Sequence, residues 1–229
     1  MGTRAMSLET RSVHFTLRTL AALAIVLFVS AGALGYWQAW LWLALQAVTV
    51  FAANAYLLRH DRQLLERRFA FDEEGEQQPE QRRLAALLRL FTLGLLVVAG
   101  LDRRWGWSHV PLWVVTVASV VFVVGAALVF EVMRVNRYAS SVIELATKQT
   151  VVSSGPYSLV RHPMYSGFLL GTLATPLMLG SYVAELFFPP LCGVFVLRML
   201  AEERFLSGSL PGYDDFLRET PKRLVPGLW

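Results

Sequence analysis

Long apolar stretches with few charges alternate with short polar stretches along most of this chain. Four of them, each about 20 residues long, cover 17–35, 40–58, 84–101 and 110–132. A helix of about 20 apolar residues is long enough to cross the hydrocarbon core of a bilayer. The backbone must satisfy its own hydrogen bonds there, so even the Val-rich fourth stretch is predicted to be helical. No small-residue cleavage site follows the first stretch, which predicts a retained span.

The last apolar region, 164–200, is too long for a single span. A Gly-Ser-Tyr turn at 180–182 divides it into two pieces of about 17 residues, which predicts a helical hairpin. Pro189 and Pro190 are expected to kink its second arm. The predicted fold class is therefore all-α: a polytopic membrane protein with about six transmembrane segments, made of four spans and a C-terminal hairpin.

A polar loop at 59–83 separates the second span from the third. Its acidic, Gln-rich centre at 72–79 predicts a flexible loop tip. The flanks, 60–69 and 80–89, are expected to be helical extensions of the neighbouring spans. We divide the chain into N-terminal transmembrane helices, 1–132, and a candidate catalytic region, 133–229.

Composition and charge support a membrane protein and predict its orientation. Residues are 55% hydrophobic and only 17% charged, against about 25% charged in soluble domains. Of the 21 Lys and Arg residues, 18 fall in segments that share one side of the membrane if the N-terminus is cytoplasmic. That bias predicts cytoplasmic N- and C-termini. It also explains the net charge of +4 without a nucleic-acid partner, so none is predicted. The single cysteine, Cys192, offers no metal-ligand spacing, and no metal site is predicted.

The polar segment 155–167 could bind an anion. Pro163 disfavours a helical residue before it and suits the first turn of a helix, so a helix should begin there. Arg161 and His162 would then lie at a helix N-terminus, where free N–H groups attract a carboxylate. An ordinary loop-to-helix junction, with a snorkelling Arg161 and interfacial tyrosines, fits the same residues.

A second polar segment follows the hairpin. Arg198 and Glu202 are four residues apart on a helix and can pair, with Glu203 beside them. An ordinary interfacial charge cluster is an equally good interpretation. The hairpin brings this segment back to the one around His162. His162 and Glu203 are expected at the membrane surface, with few packing contacts.

Together these residues resemble a known family. Arg161-His162-Pro163-x-Tyr165-x-Gly167, an apolar hairpin, then Arg198 with a Glu-Glu pair, and a closing Tyr and Pro resemble the isoprenylcysteine carboxyl methyltransferases. That family includes small prokaryotic membrane methyltransferases. The resemblance covers about 130–226, and the ordered set is more specific than any single part of it.

The resemblance implies that S-adenosylmethionine is the methyl donor and lies in a pocket that faces the cytoplasm. It implies Arg198 near the methyl-transfer site, and Glu202 is the nearest candidate base for an acceptor that must lose a proton. The cofactor-binding residues that it implies are Tyr157, Arg161, His162, Tyr165, Gly167 and Glu203.

The acceptor is expected to be a lipophilic or lipidated molecule from the bilayer, with membrane lipids as the other partners. A carboxylate of the isoprenylcysteine type is the leading candidate. A lipid amine or a thiol is an alternative acceptor. A steroid-reductase-like enzyme and a small transporter or scaffold remain alternative functions. The sequence predicts no oligomeric state.

Overall fold

The structure is a computed structural model that describes residues 7–74, 79–139 and 149–229, with the backbone alone for 70–74. Every regular element in the described residues is helical, as predicted. The elements are α1 (Leu8–Ala31), α2 (Trp37–His60), α3 (Arg62–Glu74), α4 (Pro79–Trp105), α5 (Leu112–Val135), α6 (Pro163–Met178), α7 (Phe188–Ser209) and α8 (Tyr213–Glu219), with 3-10 turns at Gly155–Ser158 and Val183–Phe187.

Five helical segments of the described chain are long and apolar enough to cross a membrane. They are α1, α2, α4, α5 and the continuous stretch Val183–Ser209 that ends as α7. The sequence predicted about six. The remaining arm of the hairpin, α6, has 16 residues and so a length of about 24 Å, shorter than a typical hydrocarbon core.

The hairpin has the predicted start and turn, but its proline pair acts differently. α6 begins at Pro163, and Gly180 takes a φ of 74° in the turn, which suits glycine. Pro189 and Pro190 lie in the first turn of α7, where a missing N–H breaks no helical hydrogen bond. The pair therefore marks the junction between the 3-10 turn and α7 and gives no cause for a kink inside α7.

The segment after α2 also differs from the prediction. Asp61 leaves the helical conformation, and its Oδ1 accepts the Leu64 N–H at 3.0 Å, so α3 begins as a separate helix. Residues 60–69 therefore do not extend α2. The extension at 80–89 is confirmed, because α4 begins at Pro79. Of the predicted loop tip, 72–74 belong to α3, and 75–78 lie outside the described residues.

A close backbone contact joins α5 to α6. A Cβ added at Gly125 would lie 2.7 Å from the Gly167 carbonyl oxygen, and one at Gly167 would lie 2.7 Å from the Gly125 carbonyl oxygen. Only glycine at both positions permits this approach, as in other small-residue contacts between membrane helices. α6 packs most extensively on α5 and only sparsely on α7. The seam between α6 and α7 is consequently the looser side of the hairpin.

A buried carboxylate joins the loops at the opposite end of the bundle from α3. Asp102, 1% exposed, accepts the Ser108 N–H at 2.7 Å, the Ser108 hydroxyl at 2.6 Å and the Ser181 hydroxyl. Nearby, the Tyr36 hydroxyl donates to the Leu179 carbonyl at 2.5 Å. The α6–α7 turn therefore lies at the same end as the turns after α1 and α4.

Replacing Asp102 with alanine should destabilise the bundle. The buried Ser181 and partly buried Ser108 donors would lose their acceptor, at a cost of about 1–3 kcal/mol for a buried donor left unsatisfied. We expect the thermal midpoint in detergent to fall by several degrees. Arg103→Ala, at an exposed neighbouring position, is the matched control. Equal midpoints for the two variants would contradict this role of Asp102.

Candidate active site

One buried carboxylate joins three separate segments of the chain. Glu203 on α7 is 7% exposed. Its Oε1 lies 3.2 Å from Arg161 Nη1 and 3.2 Å from His162 Nε2, and its Oε2 accepts the Arg223 Nε–H at 3.0 Å. Arg161 and His162 immediately precede α6, and Arg223 belongs to the segment after α8. We call these four residues the Glu203 anchor.

The Arg161 guanidinium extends the anchor to α8. Its Nε donates to the Thr220 carbonyl at 2.6 Å, and its Nη2 donates to the Leu217 carbonyl at 2.7 Å. Both carbonyls lie at the C-terminal end of α8, where main-chain oxygens lack helical partners and attract a cation. Arg161 therefore bridges the start of α6, α7 and the end of α8.

The segment after α8, which we call the C-terminal strap (220–229), lies along the residues that precede α6. The Arg161 and His162 N–H groups donate to the carbonyls of residues 222 and 223, at 2.9 and 3.0 Å. The Ser166 hydroxyl donates to the Leu224 carbonyl at 2.6 Å. The Arg223 guanidinium lies 5.5 Å from the centre of the Trp229 ring. The strap is thus held by main chain as well as by side chains.

The burial of the anchor corrects one prediction. His162 and Glu203 were expected at the membrane surface with few packing contacts, yet they are 5% and 7% exposed. A buried carboxylate costs several kcal/mol of desolvation, which close cationic partners must offset. The anchor therefore contributes to the fold, and a variant that removes Glu203 will change more than ligand binding.

Glu203→Ala should loosen the strap. It would leave two arginines and a histidine around an empty position, and removing one partner of a buried ion pair costs about 3–5 kcal/mol. We expect a lower thermal midpoint in detergent and faster proteolysis within 210–229. Asp215→Ala, which removes the carboxylate of the exposed Asp215–Arg218 pair, should change little. Equal proteolysis of the two variants would contradict the anchor.

The neighbouring carboxylate, Glu202, points to a different group of side chains. The Tyr165 hydroxyl donates to Glu202 Oε2 at 2.9 Å, and Arg198, 8% exposed, interacts with the same hydroxyl. Ring centres continue from His162 to Tyr165 at 5.7 Å, to Phe195 at 6.1 Å and on to Phe168 at 6.2 Å. This aromatic row follows the seam between α6 and α7.

Tyr157 closes the site on the side of α5. Asn136, which follows α5, donates from Nδ2 to the Tyr157 hydroxyl oxygen at 2.8 Å. Burial raises the pKa of Tyr157 to about 12. The hydroxyl therefore keeps its proton at physiological pH and can act as a hydrogen-bond donor.

Most of the residues predicted from sequence meet at this end of the bundle. Gly167 does not join this group of side chains, because its main chain faces Gly125 of α5 in the close helix contact. Sequence reasoning gave no role to Arg223 or Asn136. The basic run at 222–223 was a usable signal for Arg223, whereas nothing local marks Asn136 as a partner of Tyr157. The predicted residues that come together are Tyr157, Arg161, His162, Tyr165, Arg198, Glu202 and Glu203.

The site contains no cluster suited to a metal ion. Among the described residues, no group of three or more His, Cys, Asp or Glu side chains is placed to hold one. What the site offers instead is a carboxylate with aromatic rings, the N-terminus of α6 and a buried arginine. These are groups that recognise cations, carboxylates and acidic head groups respectively.

Comparison with known proteins matches this part of the chain to a family of membrane methyltransferases. Residues 113–210 match the family model for phospholipid methyltransferases. A 73-residue stretch is 34% identical to the protein-S-isoprenylcysteine O-methyltransferase of Schizosaccharomyces pombe, covering 31% of each chain. The fold matches a solved structure of the eukaryotic intramembrane Ras methyltransferase ICMT with a TM-score of 0.56 and 15% identity, over 95% of this chain and 77% of that one. The predicted resemblance to the isoprenylcysteine carboxyl methyltransferases is confirmed.

A further relative is the cobalt-zinc-cadmium resistance protein CzcN of Cupriavidus metallidurans, 40% identical over 76 residues, which are 31% of this chain and 34% of that protein. The matches cover about a third of the length of each of these two relatives. The family match runs from α5 through the whole of α7. The methyltransferase-like region therefore contains both carboxylates and the start of α6, and the strap lies beyond it.

Proposed function

We propose that this chain is an S-adenosylmethionine-dependent methyltransferase in the membrane, acting on a lipophilic acceptor, with an isoprenylcysteine-type carboxylate as the leading candidate. The observation that carries the proposal is the Glu203 anchor. It fixes the start of α6 against the end of α7, so that Glu202, Arg198 and Tyr165 converge beside a helix N-terminus. Similarity to methyltransferases over residues 113–210 supports the reaction class.

The side chains present fit the chemistry of such a donor. When bound, S-adenosylmethionine supplies a methyl group on a cationic sulfur, and its transfer to a carboxylate oxygen forms one C–O bond, breaks one S–C bond and leaves a neutral thioether. Glu202 and the Tyr165 and Phe195 rings suit a cation. The N–H groups at the start of α6 suit a carboxylate.

Each residue then has a distinct task in the proposal. Glu203 and Arg161 position the other groups, because their polar atoms contact each other, His162, α8 and the strap. Glu202 would contact the donor. Arg198 would hold the acidic head group of the acceptor. A carboxylate is already a nucleophile, so alignment and exclusion of water matter more than a base. For an amine or a thiol, Glu202 would serve as the base.

The donor proposal predicts a specific loss on neutralising Glu202. Glu202→Gln keeps an acceptor for Tyr165 but removes the negative charge, and hydrogen bonds to charged groups contribute about 1.5–3 kcal/mol. We expect wild-type protein to bind S-adenosylmethionine at one site per chain in calorimetry, and the variant to bind at least tenfold more weakly. Glu219→Gln, at an exposed position on α8, is the control.

Two outcomes would contradict this prediction. Wild-type protein that gives neither heat nor a thermal shift with the donor or its demethylated product would refute the proposed function. Normal affinity in Glu202→Gln, with donor binding intact in the wild type, would instead refute the role given to Glu202.

We propose further that the site faces the cytoplasm and that α6 is a sixth crossing. Support for the crossing comes from the two ends of the hairpin. His162 meets Glu203 at one end, and Ser181 meets Asp102 at the other, beside the turns after α1 and α4. Tilt or local thinning of the bilayer would accommodate the 16 residues of α6. Support for the orientation comes from the concentration of Lys and Arg on the side of the Glu203 anchor.

The acceptor would reach the site sideways, from the bilayer. A proline kink in α7 does not provide the opening, because Pro189 and Pro190 begin that helix. The seam between α6 and α7 provides the opening instead, because the two helices pack sparsely there and aromatic rings line it. Phe168 is exposed at the outer end of this row, and Tyr165, next to His162 at its inner end, lies beside Arg198.

Lateral access predicts that activity depends on the tail of the acceptor. Acceptors with one carboxylate head group and tails of increasing length should be methylated faster as the tail lengthens, in liposomes that contain the purified protein and labelled donor. Partition into the bilayer favours longer tails by about 0.8 kcal/mol per methylene relative to water. Equal or better methylation of a small water-soluble acid would contradict lateral access.

A further inference from the structure

A cavity lies between α1, α2 and α3, apart from the Glu203 anchor. Its volume is about 270 Å³, which exceeds the roughly 150 Å³ of an engineered cavity that binds benzene. None of its described lining residues belongs to the candidate active site. They are Phe15, Thr16, Thr19, Leu20, Leu23, Gln46, Val50, Asn54, Leu65, Arg68 and Phe69.

The cavity is elongated along the membrane-spanning helices. On α1 it extends from Phe15 to Leu23, and on α2 from Asn54 to Gln46. At 1.5 Å per residue, each of these stretches is about 11–12 Å long. α3 closes one end with Leu65, Arg68 and Phe69. This end lies on the same side as the anchor, because Leu65 packs in one apolar cluster with Met164.

The charge of this cavity lies at its α3 end, while uncharged Thr19 and Gln46 are the polar residues farther along it. The α3 end presents the Arg68 guanidinium and the hydroxyl of buried Thr16, which is 3% exposed and accepts from Asn54 Nδ2 at 3.3 Å. Leucine, valine and phenylalanine side chains form most of the remaining wall. Arg68 is the charged residue among the described lining. A ligand that matches the cavity therefore has an acidic head and an apolar tail.

The position of Arg68 is fixed before any ligand binds. Its Nη1 donates to the Ala139 carbonyl at 3.1 Å, and the adjacent Arg67 donates from Nη2 to the Arg137 carbonyl. A guanidinium held in this way is preorganised, which reduces the entropy lost on binding an anion. Thr19 and Val50 are exposed on the outer surface of α1 and α2, so the cavity opens toward the bilayer.

We propose that this cavity is a binding site for an anionic phospholipid of the surrounding leaflet. One acyl chain would occupy the groove between α1 and α2, and the phosphate would lie against Arg68. The volume has room for roughly nine groups of the size of water or methylene, which is one segment of an acyl chain. Arg59, exposed at the end of α2 near α3, adds attraction for an anionic leaflet. This site is independent of the methyl-transfer proposal.

Native mass spectrometry of the full chain, released from detergent with added lipid, tests the proposal. The probes are phosphatidylglycerol and phosphatidylcholine with identical acyl chains, and a free fatty acid with one of those chains. We expect one phosphatidylglycerol molecule to be retained per chain, at least tenfold more than phosphatidylcholine. Equal retention of the two phospholipids would overturn the proposed phosphate contact. Tighter retention of the fatty acid would overturn the assignment to a phospholipid.

Three variants locate the site. Arg68→Gln should abolish the preference for phosphatidylglycerol, and Val50→Trp should fill the groove and abolish retention altogether. Arg82→Gln removes an exposed charge at the start of α4, outside the cavity, and should retain lipid as the wild type does. Equal loss of phosphatidylglycerol retention in Arg68→Gln and Arg82→Gln would indicate that lipid binds through general surface charge, and would overturn the proposed site. If Arg68→Gln fails to fold, unchanged retention in Val50→Trp would still overturn the proposal.

Discussion

A carboxylate that has been removed from water must be surrounded by donors, and this requirement organises the functional end of the molecule. Glu203 meets it with Arg161 and His162, which precede the hairpin, and with Arg223 from the strap. Since a partly satisfied buried charge is strongly destabilising, the segments that supply its partners must assemble together. The position of Glu202, one residue earlier on the same helix, is fixed as a consequence.

Polar contacts hold both ends of the hairpin, while its middle is held less tightly. Asp102 fixes the turn after α6, and the Glu203 anchor fixes the opposite end. Between them, α6 is bound closely to α5 through Gly125 and Gly167 but only sparsely to α7. Such an arrangement keeps polar groups in fixed positions and leaves an apolar seam beside them. That combination suits chemistry on a molecule with a polar head and a membrane-embedded tail.

Local rules predicted those parts of the fold that depend on local sequence. Apolar stretches gave the spanning helices, Pro163 gave the start of α6, and Gly180 gave the turn. The same rules failed where the outcome depends on position within an element. The Pro189-Pro190 pair looks like a helix breaker until the start of α7 is known, and Asp61 begins a helix that the pattern joined to α2. The burial of His162 and the pairing of Arg223 with Glu203 depend on tertiary contacts of the strap, and the basic run at 222–223 does not identify the partner of either residue.

Hydrogen exchange at the contact between the strap and the start of α6 tests the central claim most directly. The Arg161 and His162 amides donate to strap carbonyls, so their exchange rates report whether the strap is attached. The account predicts slow exchange at both amides in the wild type and much faster exchange in Glu203→Gln, with α5 amides near Gly125 unchanged. Unaltered slow exchange at 161 and 162 in that variant would show that the strap does not depend on the buried carboxylate, and would contradict the account.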